Sequence, residues 1–280
     1  MKEPERRIGE PKILEGSRIP QSLTDWEVIR GSHADHEIQM APEANIVKIG
    51  GQSIMDRGKV AVYPLVDEIV QNKGRHQMVL GLGGGTRSRH AYSVAIDLDM
   101  PTGIIARLGA AVSRQNARML HMLLARHGGV YLTSEQFEMI PLYLAADCIP
   151  ILHGMPPYEY WEPPPVRGRI PEHRTDVGVF LVGEVLGAKS VIFVKDEDGL
   201  YTHDPKKNPQ AEFIPRIGAQ ELMQLDLHDL VVERKVIELL QVARHIKQIH
   251  IVNGLRPGNL TKALEGEHVG TLIVAQDARA

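Results

Sequence analysis

The sequence predicts an α/β fold, a three-layer αβα sandwich built on a mostly parallel central sheet. Two observations carry this expectation. From Asn45 onward, short apolar runs alternate with segments of helical period, the rhythm of βαβ units. Glycine-rich turns and clusters of charge follow several of the apolar runs, where a parallel sheet opens its ligand crevice. The 280 residues, 43% of them hydrophobic, supply a large core, and no internal repeat is evident.

Residues 1–43 carry Pro4, Pro11, Pro20 and Pro42 with mixed charges and no sustained period, so they read as an extended arm preceding an α/β domain over 44–280. The domain opens with a strand over Ile46-Val47-Lys48-Ile49. Val62, Leu65, Val66, Ile69 and Val70 then mark a helix by their spacing, and Gln77 to Leu82 reads as the next buried strand. Val112, Asn116, Met119, Leu120, Leu123 and Leu124 mark a further, largely amphipathic helix, followed by a short strand over Ile149 to His153. Between Gly154 and Arg174 the chain is too rich in proline for helix or central strand, and a stiff loop of this length is usually functional or part of an interface. The rhythm resumes with a helix from Asp176 to about Gly187, a strand over Ser190 to Lys195 and a helix near Val232 to His245. Strands over Gln248 to Val252 and Thr271 to Val274 complete it.

Composition removes several classes of function. Thirty-two Lys and Arg against 35 Asp and Glu leave a formal charge of −3, without the footprint that captures nucleic acid or an anionic membrane. Aromatics at 5% argue against stacking platforms for single strands. Cys148 stands alone, residues 1–30 lack a signal-peptide core and no run suits a bilayer, so a cytoplasmic protein is expected. Any bound anion must therefore meet a local site.

Three segments suggest where. Lys48-Ile49-Gly50-Gly51 ends a strand, where glycines let backbone N–H groups approach a phosphate and Lys48 adds a point charge. Gly83-Gly84-Gly85-Thr86-Arg87-Ser88-Arg89 joins the next strand to a helix whose N-terminus favours anions. Neither turn matches a dinucleotide fingerprint or a P-loop, since Ser88 stands where a third glycine is needed and no Gly-Lys-Ser/Thr occurs. Lys195 to Pro205 follows a third strand, with Asp196 and Asp198 offering partners for metal or ribose, and Tyr201 and Asp204 offering partners for adenine and ribose. A solvated Asp-Gly turn explains that segment equally well. Asp176 opens a helix, either as an ordinary cap or as the carboxylate that orients Lys48 and a metal-bound phosphate.

Together with Arg174-Thr175-Asp176, Asp198-Gly199-Leu200-Tyr201-Thr202, Asp204-Pro205 and Gly270-Thr271-Leu272-Ile273, these segments resemble the amino acid kinase family over roughly residues 44–275. UMP kinases are its nearest ordinary enzymes. The closer likeness is to the family's molybdenum-storage branch, and Glu159-Tyr160-Trp161-Glu162, where the alpha type carries histidines, points to the beta type. The resemblance implies ATP and Mg²⁺ as cofactors and molybdate or tungstate held as polynuclear clusters. It also implies a homologous alpha-type partner in a cage of three alpha and three beta subunits. Carried over by position, Lys48, Gly50 and Gly51 contact the β and γ phosphates, Gly84, Gly85 and Arg89 form the phosphate turn, and Lys195, Asp198, Tyr201 and Asp204 lie toward the nucleoside or the metal. Asp176 organises Lys48 or the metal. One departure is plain: UMP kinases place an acid on the acceptor's ribose in the region of Ile104 to Gln115, where this chain has none.

Condensing molybdate consumes protons, which suits imidazole. His153, at a strand end, and His173, just before Asp176, are the expected oxometalate ligands, with Gln136 and Arg107 behind them. Three functions remain open at this point: an ATP-dependent molybdate or tungstate store, a small-molecule kinase resembling UMP kinase, and a noncatalytic nucleotide-binding partner.

Overall fold

A computed structural model describes residues 39–156 and 168–275. Most of the proposed arm and the centre of the proline-rich loop lie outside the described residues. The helices are α1 (Lys59–Asn72), α2 (Thr86–Asp97), α3 (Thr102–Leu124), α4 (Ile140–Ala145), α5 (Thr175–Leu186), α6 (Ala219–Gln224), α7 (Arg234–Val242) and α8 (Asn259–Leu264). Strands β1 (Ala44–Ile49), β2 (Gln77–Leu82), β3 (Gly129–Tyr131), β4 (Ile149–His153), β5 (Ser190–Lys195), β8 (Arg216–Gly218), β9 (Gln248–Asn253) and β10 (Thr271–Val274) form one sheet in the order β3-β4-β2-β1-β5-β9-β10-β8. Among the described residues, β9 and β10 are the one antiparallel pair within this sheet. Strands β6 (Leu200–Tyr201) and β7 (Phe213–Ile214) make a separate antiparallel hairpin.

Strand alternation builds the layers. Along β1, Ile46 joins the core beneath α5 and α7, while Val47 and Ile49 join the core beneath α1, α3 and α8. Along β5, Val191 and Phe193 take the first side, Ile192 and Val194 the second. Both faces of the sheet are therefore covered, which is why its strands read as continuous apolar runs. By the same period of two, Lys48 and Lys195 fall on the α5 side. Helix α5 lies close to the sheet because Gly81 leaves room: a Cβ there would sit 2.2 Å from Val179 Cγ2. A side chain on Gly183 of α5 would likewise crowd Val191, at 2.8 Å.

Helix α7 is shorter than its apolar period suggested. Val232 and Glu233 lie before it and Ala243 turns extended after it, so only Arg234–Val242 is helical. The short strands β3, β6, β7 and β8, of two or three residues each, carry too little pattern to be recognised without their partners.

Candidate functional site

The site follows from the strand order. The chain runs from β1 to β2 on one side and returns to β5 on the other, so β1 marks a switch point where a crevice opens beyond the strands' carboxyl ends. Gly50-Gly51 follows β1, Gly83-Gly84-Gly85 follows β2, and Lys195-Asp196 ends β5.

The two glycine turns lock together. Gly50 N–H donates to Val194 O and Gly83 N–H to Ile49 O, each at 3.0 Å, which carries the strand ladders into the turns. A Cβ on Gly51 would lie 2.2 Å from the Gly85 nitrogen, so glycine is required by close backbone approach. Gly85 takes a φ of +74° and ends against the Asp56 carboxylate, which accepts the Thr86 N–H at 2.6 Å. From behind, α3 fixes the second turn: Asn116 donates to Gly83 O at 2.6 Å and Ser113 to Leu82 O at 2.6 Å. A polar residue within an apolar helical stripe was the only sign in the sequence that Asn116 had such a task.

Lys48, Asp176 and Lys195 meet beneath these turns. Lys48 Nζ is 2.5 Å from Asp176 Oδ1 and Lys195 Nζ is 3.0 Å from Asp176 Oδ2, with Lys48 and Asp176 both 4% exposed. Burial opposes ionisation of Asp176, yet the Lys195 and Lys48 ammoniums overcome it and hold the carboxyl below its usual range. For Lys195, burial outweighs the attraction of Asp176 and brings the ammonium down to about 8. Asp176 is not the cap of α5. That task falls to Glu233, whose carboxylate accepts the N–H groups of Arg174 at 3.1 Å and Asp176 at 3.1 Å. Glu233 lies 57 residues from Asp176 in sequence, and no local pattern marks it.

A cavity of about 580 Å³ opens over this cluster. Lys48, Arg57, Arg89, Arg174, Lys195 and Lys206 line it against Asp56, Asp176, Asp196 and Glu233, a surplus of two positive charges in a chain whose net charge is −3. At one wall Asp196 bridges Arg57, at 2.6 Å, and Lys206, at 3.1 Å. Burial works against its ionisation, but those two partners hold its carboxyl below the usual range.

The other expected residues divide. Gly50, Gly51, Gly84, Gly85 and Arg89 line the cavity with Lys48, Asp176 and Lys195. Lys195 stands in the ion cluster beside Lys48, on the α5 side of the sheet. Asp198, Tyr201 and Asp204 do not line the cavity. Asp198 accepts from Asn253 Nδ2 at 2.9 Å and pairs with Arg256. Tyr201 packs edge-on against Phe213, with ring centroids 5.4 Å apart. Asp204 accepts the Lys206 N–H at 2.9 Å, a local turn contact.

His153 is fully buried at the end of β4, its Nε2 2.8 Å from Ser134 Oγ. Burial, reinforced by Arg114, lowers its pKa to about 4, which favours the neutral imidazole at neutral pH. Gln136 accepts the Thr133 N–H at 3.0 Å in a capping box, and Arg107 acts electrostatically on His153. His173 lies close to Arg174 in sequence but is not part of the cavity lining. Among the described residues no group of three or more His, Cys, Asp or Glu side chains could hold a metal ion, and no helix is long and apolar enough to cross a membrane.

The model of the amino acid kinase family matches residues 43–253, which contain both glycine turns, the three members of the ion cluster and Glu233. The chain belongs to the amino acid kinase family. Within it, the chain is similar to the molybdenum storage protein subunit beta of Azotobacter vinelandii, with 49% identity over 262 residues covering 94% of this chain and 97% of that protein. It is more distantly similar to the uridylate kinase of Thermofilum pendens, at 28% identity over 82% of this chain and 97% of the kinase. The fold agrees with the UMP kinase of Bacillus anthracis (TM-score 0.65, 20% identity, 85% of this chain and 98% of the other). It also agrees with the uridylate kinase of Archaeoglobus fulgidus (TM-score 0.64, 21% identity, 82% and 99%). These likenesses support the expected α/β architecture and the storage-branch resemblance.

Proposed function

We propose that this chain is an ATP-binding subunit of an assembly that stores molybdate or tungstate. The observation that carries the reading is the buried Lys48–Asp176–Lys195 cluster under two interlocked glycine turns. Its cationic surplus suits a triphosphate with its magnesium ion, and the 49% identical storage subunit supplies the cargo. Lys48 and the turn N–H groups hold the β and γ phosphates, Asp176 orients both ammoniums, and Arg89 lies along the phosphate turn. The residues fit a magnesium ion that arrives on the phosphates, because Mg²⁺ keeps waters and takes one or two carboxylates, here Asp176 or Asp196 on the cavity wall. Bound there, it would neutralise charge on the phosphates. The phosphoryl group passes to water, and the energy drives oxometalate into clusters held near His153 and His173. His153 serves as an imidazole ligand, and the protons that condensation consumes come from solvent, with water leaving as the units join. An alpha-type partner and a cage of three alpha and three beta subunits complete the proposal.

The test is elemental. Purified assembly incubated with molybdate and MgATP retains many molybdenum atoms per chain, whereas an assembly that retains none after loading sinks the storage reading. Release of ADP that depends on UMP and not on molybdate identifies a kinase instead, a reading favoured by the uridylate kinase likeness. Release of ADP by a mixed assembly, but not by this chain alone, identifies the noncatalytic partner.

A further inference from the structure

The N-terminus of α5 is built from two segments far apart in sequence, and Glu233 joins them in both directions. Its side chain accepts N–H groups of α5: Oε1 takes Asp176 at 3.1 Å, and Oε2 takes Arg174 at 3.1 Å and Val177 at 3.4 Å. In return, the Glu233 backbone N–H donates to Asp176 Oδ2 at 3.3 Å, the same oxygen that receives Lys195. Asp176 is thus held at its backbone by the Glu233 carboxylate and at its carboxylate by the Glu233 amide. Rotation of Asp176 would break the contact that spaces Lys48 from Lys195. Helices can be capped by a local Ser, Thr, Asp or Asn, with no carboxylate brought from afar. The residues just before Glu233, Leu230, Val231 and Val232, form an apolar part of the cavity wall, so the link also ties that wall to the phosphate end.

We propose that Glu233 is a positioning residue for the phosphate end of the nucleotide site, holding Asp176 between Lys48 and Lys195 and fixing the apolar 230–232 wall relative to them. The inference rests on the nucleotide-binding reading. Glu233 touches no reacting group. It acts through Asp176, and the groups that face it are Asp176 and Arg174 of α5 and its approach, Lys48 of β1 and Lys195 of β5.

The test uses the full chain in its native assembly and titrates MgATP and AMP into wild type, Glu233→Gln and Glu233→Asp by calorimetry. Glutamine must turn an amide NH₂ toward backbone N–H donors, whereas aspartate keeps the charge with a shorter reach. The expected order of MgATP affinity is wild type, then Asp about threefold weaker, then Gln about tenfold weaker, the size expected for losing a hydrogen bond to a charged group. AMP affinity moves less than about twofold across the series, because AMP lacks the phosphates that Lys48 and Lys195 serve. If Gln does not fold, the Asp variant carries the same expectation. A variant that weakens ATP and AMP equally, or lowers only the melting temperature, limits Glu233 to capping α5 and overturns the inference alone. Wild type that binds no MgATP overturns the nucleotide reading and this inference together.

Discussion

The cluster at the ends of β1 and β5 and the turn leading into β6 look alike in sequence, each a set of charges just beyond an apolar run, yet they end in opposite environments. Lys48, Asp176 and Lys195 are buried and paired, with a cavity above them. Asp198, Tyr201 and Asp204 spend their polar atoms on Arg256, Asn253 and the Lys206 amide, or their ring on Phe213, outside the cavity. Charge at a strand end therefore does not by itself make a site. What distinguishes the two regions is the low dielectric, which strengthens each pairing and makes an uncompensated charge costly.

The sharpest way to break the comparison is Lys48→Ala. Losing a charged donor to phosphate lowers MgATP affinity about a hundredfold. It also destabilises the fold by roughly 3 kcal/mol, because Asp176 stays buried with one ammonium fewer. Calorimetric titration and denaturant melts read both effects, and unchanged binding would remove Lys48 from the site. Gly51→Ala comes next. Its Cβ would meet Gly85 N at 2.2 Å, and forcing the turns apart costs about 1–3 kcal/mol with about a tenfold loss of nucleotide affinity. A variant with unaltered binding and melting would show that the turns are not interlocked.

The third effect is one of pH. Lys195 has its folded pKa lowered to about 8 from 10.5, so the folded protein sheds that proton first. As pH rises through about 8, nucleotide affinity falls by a few fold as the ammonium is lost. Lys195's contribution to folding stability rises from there toward 10.5, because the unfolded chain now binds more protons. Titrations across this window on wild type and Lys195→Arg check the sign, since Arg keeps its charge and removes the fall. The smallest effect belongs to the hairpin: Asp204→Ala changes MgATP affinity by less than about twofold, as expected of an exposed turn pair. A larger loss there would erase the contrast and return Asp204 to the nucleoside side.

Much of this was legible in the chain. β2, β4, β5 and β10 fall where their apolar runs put them, and the two glycine turns are where a strand-to-helix connection needs them. The pairing of Lys48 with Asp176 was one of two open readings, and burial selects it over simple capping. Glu233 and Asp56 were not legible, because each acts on a backbone N–H distant in sequence and leaves no periodic trace. The pairing of Lys195 with Asp176 was not legible either, since it depends on the alternation of β5 and the placement of α5 beside it.

By itself the sequence determined the α/β rhythm, the placement of glycine at strand ends and the absence of a global electrostatic footprint, since these depend on local period, backbone freedom and composition. Only the tertiary structure decided which charges share a site. Strand order brings residues 48, 176, 195 and 233 together: the two ammoniums make Asp176 a shared counter-ion, burial lowers the pKa of His153, and Asp204 stays in an exposed turn bonded to the Lys206 amide.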